Sequence, residues 1–217
     1  MKNNLSVIVL GAGLFGTSVA RKLFELDIDV MIVDKDEEVI QEIANDVTAA
    51  VQCNLVDEKA VTDLGLSNFD VAIICIGGDL EASVVATLAA KDNKVPKIIA
   101  KANSHTQARI LRKLGANQVI FPEIDMGERL ARSLSGNNVL EYLHTSSEYA
   151  LLEIKAQSDW VDKSLSELDF YNKYNMNVIA YRRNKKIHFS NLSQFKIHAS
   201  DELILIGKHE DAGQFQV

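Results

Sequence analysis

Hydrophobic and polar positions along this chain follow two regimes, one before and one after about residue 135. In the first, short apolar runs at 5–10, 29–33, 47–51, 69–76, 97–101 and 118–121 read as strands. Runs as continuously apolar as 69–76 suit strands buried on both faces. Segments of helical period lie between them, at 17–26, 36–45, 57–64, 80–91 and 104–114, and a sixth at 123–135 starts from Pro122. Strand and helix alternating through short connections predict an α/β fold, a Rossmann-like doubly wound parallel sheet of order 3-2-1-4-5-6. In the second regime the pattern turns to strands at 149–155, 178–182, 186–189 and 203–206, with a short helix at 164–168. This predicts a small α+β C-terminal module, with a hairpin turning at Arg183-Asn184. Ser135-Gly136-Asn137-Asn138 marks the boundary. The expected organisation is a nucleotide-binding domain 1–135, a linker 136–147 and a C-terminal domain 148–217.

The first strand runs directly into Gly11-Ala12-Gly13-Leu14-Phe15-Gly16, a G-x-G-x-x-G turn that opens a helix. Such a turn needs one glycine to leave the strand sharply, one to let a pyrophosphate touch the backbone and one to let the helix pack closely. Asp34 ends the second strand, where a carboxylate reaches two ribose hydroxyls. A glycine turn in a nucleotide-free fold is the plain alternative, and the position of Asp34 weighs against it. Asn54-Leu55 and Gly77-Gly78 follow the third and fourth strands. The predicted order brings both turns to the same crevice, and Asp79 is placed to cap the next helix.

The net charge of −7 does not suggest a nucleic-acid surface. The basic run Arg182-Arg183-Asn184-Lys185-Lys186 reads as a hairpin turn rather than a recognition helix. Cys53 and Cys75 lie in apolar stretches without C-x-x-C spacing, as buried thiols of a reducing compartment. No signal peptide or run long enough to span a membrane is evident, so a soluble, cytoplasmic protein is expected. His105, His144, His188, His198 and His209 lack metal-like spacing, and no H-E-x-x-H, G-x-S-x-G or Y-x-x-x-K is present. No large substrate domain follows the alternation, which favours a nucleotide sensor over an enzyme. A small NAD(P)-dependent oxidoreductase or redox-sensing regulator is the alternative. In segment 123–135, Gly127, Leu130, Ala131 and Leu134 share a helix face, suited either to an oligomer contact or to the domain's own sheet.

The glycine turn, Val33-Asp34, Asn54-Leu55, Ile76-Gly77, Lys101-Ala102-Asn103, Pro122-Glu123-x-Asp125-Met126-Gly127 and the C-terminal module together resemble a known family. It is that of the cytosolic regulatory subunits of Ktr/Trk-type potassium uptake systems, which carry RCK (KTN) domains. The resemblance implies a non-enzymatic gating subunit, dimeric and assembled into an octameric ring. The ring would sit at the inner face of the cell membrane, on a membrane-embedded potassium-translocating subunit. It implies that Gly11, Gly13, Leu14, Phe15, Gly16, Asp34, Lys35, Asn54, Leu55, Ile76, Gly77, Lys101 and Glu123 bind ATP/ADP or NAD(H). Glu123 would also help hold Mg2+ or Ca2+ near the phosphates. It further implies a cyclic di-AMP pocket at Leu165, Tyr171, Asn177 and Asn191. Two departures stand out. Leu14 occupies a slot where Ktr-type members typically have arginine, and Tyr171 and Asn191 stand where relatives carry Arg and Pro.

Overall fold

Val7 to Leu10 are all buried in the computed structural model, because β1 (Ser6–Leu10) is a central strand. It pairs in parallel with β2 (Asp29–Asp34) on one side and β4 (Val71–Ile74) on the other. With β3 (Ala49–Gln52), β5 (Lys97–Lys101) and β6 (Gln118–Ile120) they form a six-stranded sheet in the order β3-β2-β1-β4-β5-β6. This is the predicted Rossmann-like order. The structure describes residues 5–135, 139–144, 148–189, 192 and 195–215.

Side chains alternate across a strand, so β1 feeds both apolar layers of the sheet. Ile8 and Leu10 join one core with Leu66, Ile98 and Leu111, while Val7 and Val9 join the other with Ile32, Ile40 and Ile43. The crossovers are α1 (Leu14–Glu25), α2 (Glu37–Ile43), α3 (Glu58–Thr62), α4 (Leu80–Asp92) and α5 (His105–Leu114). A side chain caps each of the last four: Asp36, Asp57, Asp79 and Ser104 accept from first-turn amides. The first has no such cap. It follows extended Gly13 directly, has no acid in its first turn, and begins at Leu14 rather than near Thr17 as expected.

The chain divides into two compact units, Met1–Asp125 and Met126–Val217, so the division falls within α6 (Pro122–Ser135) and not at the boundary expected near 135. The second unit is a five-stranded antiparallel sheet, ordered β10-β9-β11-β8-β7. Its strands are β7 (Val139–His144), β8 (Tyr149–Lys155), β9 (Met176–Arg183), β10 (Lys186–His188) and β11 (Glu202–Lys208). Residues 136–147, expected as a linker, therefore contain a strand, which pairs with β8. Helix α7 (Leu165–Leu168) starts with a capping box between Ser164 and Glu167. It is followed by an unexpected short helix, α8 (Phe170–Tyr174), and α9 (His209–Ala212) follows β11. Trp160, Phe170, Tyr174 and Phe215 form one aromatic cluster in this core, edge to face or tilted except for the stacked Phe170 and Phe215, and the Trp160 indole donates to Tyr174 Oη at 3.0 Å.

The hairpin turn is one residue later than expected. Asn184 and Lys185 both take positive φ (51° and 64°), the arrangement that matches strand twist in a two-residue turn. Arg183 thereby remains in the strand, and its guanidinium grips Asp201 through Nε and a terminal nitrogen, both at 2.7 Å. Arg182 instead reaches Glu153 at 2.9 Å and Glu202 at 3.6 Å. The two arginines of the basic run are thus neutralised within the sheet.

The Asp201 side chain is fully buried. Burial pushes its carboxyl up, but the Arg183 fork, the His198 amide and the charge of Arg183 outweigh this and hold it below the usual range. Removing one partner of such a pair strands the other charge, so Asp201→Ala should cost the C-terminal unit about 3–5 kcal/mol. The chain has one tryptophan, Trp160, so urea unfolding followed by its fluorescence measures that unit directly. The folded-state value is depressed, so the stabilisation is complete above the unfolded carboxylate value of about 3.9. It is lost as pH falls through the lower folded value. The wild type should therefore lose its advantage over the variant in acid.

Candidate functional site

Four segments meet beyond the carboxyl ends of β1 to β4 and line a cavity of about 200 Å³. Gly11 and Gly13 come from the first turn, Asp34 and Lys35 from the end of β2, and Asn54, Leu55 and Val56 from the turn after β3. Cys75, Ile76, Gly77, Asp79 and Ala82 come from the turn into α4. All three turns expected at one crevice are present there.

The glycines differ in what they allow. Gly11 has φ +107° and donates to Val33 O at 2.7 Å, and a Cβ there would come to 3.0 Å from the Cys75 carbonyl carbon. Gly16 is buried, and a Cβ on it would fall 2.0 Å from Gly11 O. Only bare backbone lets α1 lie this close to the turn. Gly13 is exposed, and a Cβ there would meet nothing within 4 Å. Gly13 is the N-cap of α1, which among the described residues has no side-chain cap, and the dipole at such a helix start favours an anion.

Asp34 does more than stand at the end of a strand. Its Oδ2 accepts the Ala12 amide at 2.6 Å and its Oδ1 the Asp36 amide at 3.1 Å. One carboxylate therefore ties β2 to the glycine turn and keeps lone pairs for hydroxyl donors. The residues present fit a nucleotide: bare backbone and a free helix end for phosphate, a carboxylate for ribose, and apolar Leu55, Val56 and Ile76 for a flat base.

The other expected residues fall outside the lining. Leu14 is 88% exposed on the first turn of α1, and Phe15 packs into the apolar layer with Val7 and Val9. Lys101 and Glu123 form an ion pair with each other beside the cavity. That hydrogen bond holds the Glu123 carboxyl below its usual range. The Asn103 side-chain amide donates to the Gly77 carbonyl. Among the described residues no three His, Cys, Asp or Glu side chains are grouped to hold a metal ion.

Sequence reasoning missed Val56, Cys75, Asp79 and Ala82 in the lining, having read Asp79 only as a helix cap. Val56 and Cys75 adjoin the recognised turns, and Ala82 is the residue whose amide Asp79 caps, at 3.0 Å. Burial pushes the Cys75 thiol up to about 12, against the pull of the Lys101 charge. Cys53 is raised by burial first and by Asp57 second. Neither is a thiolate at neutral pH.

Of the residues expected in a second pocket, Leu165 packs against the C-terminal core, Tyr171 is 55% exposed, and Asn177 is exposed on β9 opposite Ile206. Asn191 lies outside the described residues. No hydrogen bond or ring contact joins the other three within one chain among the described residues. On α6, Ile124, Met126 and Leu130 are exposed, and a Cβ on Gly127 would meet nothing within 4 Å. No helix among the described residues is long and apolar enough to cross a membrane.

Two family descriptions match: TrkA-N domain over residues 7–122 and TrkA-C domain over residues 149–216. The chain is 38% identical over 216 residues to the Ktr system potassium uptake protein C of Bacillus subtilis, covering 100% of this chain and 97% of the relative. It is 34% identical over 213 residues to the Ktr system potassium uptake protein A of the same organism, covering 98% and 96%. Among solved structures, the GsuK channel bound to NAD superposes with a TM-score of 0.64 at 15% identity. That match covers 96% of this chain and 38% of the channel chain.

Gly16→Ala should destabilise the N-terminal unit by about 1–3 kcal/mol, as overpacking against rigid backbone does. Thermal melts by far-UV circular dichroism would measure this. Gly13→Ala, with open space and φ −66°, should shift the melt by no more than about 1 kcal/mol.

Proposed function

The chain belongs to the family of Ktr/Trk-type potassium-uptake regulatory subunits, a TrkA-N domain followed by a TrkA-C domain, and on that premise we propose that it is a ligand-sensing gating subunit rather than an enzyme. Its ligand is an adenine nucleotide, ATP/ADP or NAD(H), held in the crevice at the carboxyl ends of β1 to β4. The observation that carries this reading is the uncapped α1 beside open Gly13, with Asp34 across the same cavity. The similar GsuK channel, solved with NAD, agrees with the ligand class.

In this reading Gly11, Gly13 and Gly16 bring bare backbone to the phosphates, and α1 offers its free amides. Asp34 accepts the ribose hydroxyls, while Lys35, Asn54, Leu55, Ile76 and Gly77 border the adenosine half. Leu14 offers no charge to a terminal phosphate, unlike an arginine in that slot. Lys101 approaches the phosphates, and Glu123 assists a bound Mg2+ or Ca2+ from a neighbouring copy. The exposed apolar residues of α6 support self-association into dimers and an octameric ring. That ring acts from the cytoplasmic side on a membrane-embedded potassium-translocating subunit. A ligand biases it only by binding one shape more tightly than another. Among the described residues no hydrogen bond or ring contact joins Leu165, Tyr171 and Asn177 within one chain, so a cyclic di-AMP pocket at Leu165, Tyr171, Asn177 and Asn191 would draw on a second copy.

Isothermal titration with ATP, ADP, NAD and NADH, with and without magnesium, tests the assignment. The wild type should bind at least one of them without consuming it, and Gly13→Ala should weaken binding about tenfold or more while leaving the fold intact. Oxidation of NADH with a small substrate would make the chain an enzyme instead. Asp34→Ala is the less informative variant, because it also releases the Ala12 amide. A separate cyclic di-AMP titration, with heat in the wild type but not in Asn177→Ala, would assign the second pocket.

A further inference from the structure

Among the described residues Lys101 is the one buried lysine, its side chain 10% exposed. A buried ammonium needs a partner, and Glu123 supplies it. The pairing is lopsided. Glu123 is 62% exposed and sits in the first turn of α6, a 14-residue helix whose dipole favours a carboxylate there in any case. Lys101 has no other anion within hydrogen-bonding reach among the described residues.

The same ammonium lies against the nucleotide crevice. A Cβ built on Gly77 would stand 3.2 Å from Lys101 Nζ, and Gly77 lines the cavity. At that point the wall between cavity and ammonium carries no side chain. Asn103 fixes it in place by donating to the Gly77 carbonyl. An anion arriving at the Gly77 wall therefore meets the Lys101 charge without backbone movement, in surroundings where charges act strongly on each other.

We infer that Lys101 is exchanged between two anions: Glu123 holds it in the ligand-free chain, and a nucleotide phosphate takes it over on binding. This rests on the nucleotide reading above and adds to it that Glu123 is a built-in competitor. It sets the affinity for phosphate charge, and it is released at the start of α6 when the crevice fills.

The test is isothermal titration of the full chain with ADP and with adenosine, in EDTA so that no divalent cation bridges the carboxylate. Glu123→Gln should bind ADP roughly tenfold more tightly than the wild type, and Lys101→Met roughly tenfold less tightly. Neither should change adenosine binding. Lys101→Arg, which keeps the charge, should recover the ADP affinity lost in Lys101→Met, and this arm stands even where Glu123→Gln does not fold. A pair that only braces the fold would move both variants in one direction and adenosine along with ADP, which would overturn the exchange. So would an ADP affinity left unchanged by Glu123→Gln. A wild type that binds neither compound would instead overturn the nucleotide reading on which the exchange rests.

Discussion

The N-terminal unit depends on a contact that no side chain could make: α1 lies so close to the turn before it that a single methyl on Gly16 would collide with Gly11 O. This approach aims the first turn of α1 across the ends of β1 and β4. With α1 so placed, Asp34 can reach the Ala12 amide, and the turns after β3 and β4 close the remaining walls. The crevice is thus a by-product of packing bare backbone against bare backbone. Its chemical character, amides on one side and a carboxylate on the other, comes from the chain ends that this packing leaves uncovered.

How far the sequence revealed this depends on the range over which each signal acts. Apolar runs and helical periods are local, so the six-stranded order and the crevice turns could be read directly. The start of α1 could not, because Gly13 serves as the N-cap without the side-chain oxygen that usually marks one. The hairpin slipped by one residue because Lys185, an unusual left-handed residue, shares the turn with Asn184. Helix α8 is only five residues long and lies between left-handed Asp169 and Asn175, which gives periodicity nothing to register. Glu123 and Lys101 are 22 residues apart, and their mutual neutralisation arises only when β5 and α6 meet.

The C-terminal unit solves a different problem with charge. The two arginines of its basic run, conspicuous in sequence, are spent internally: Arg183 on Asp201, Arg182 on Glu153 and Glu202. Trp160 and its aromatic neighbours are part of the core. A module of this size has little apolar area to spare, so well-made polar contacts and one dense aromatic cluster carry much of its specificity.

The contrast between α1 and its four capped neighbours also bears on how this protein could be altered. A serine or aspartate at position 13 would supply the missing cap from within the chain and make the ligand-free form more robust. The same oxygen would occupy the amides that an incoming anion needs. On the proposed reading, selection for heat resistance alone would therefore favour variants that no longer respond to a ligand. Stability and ligand response would then compete for the same few amides.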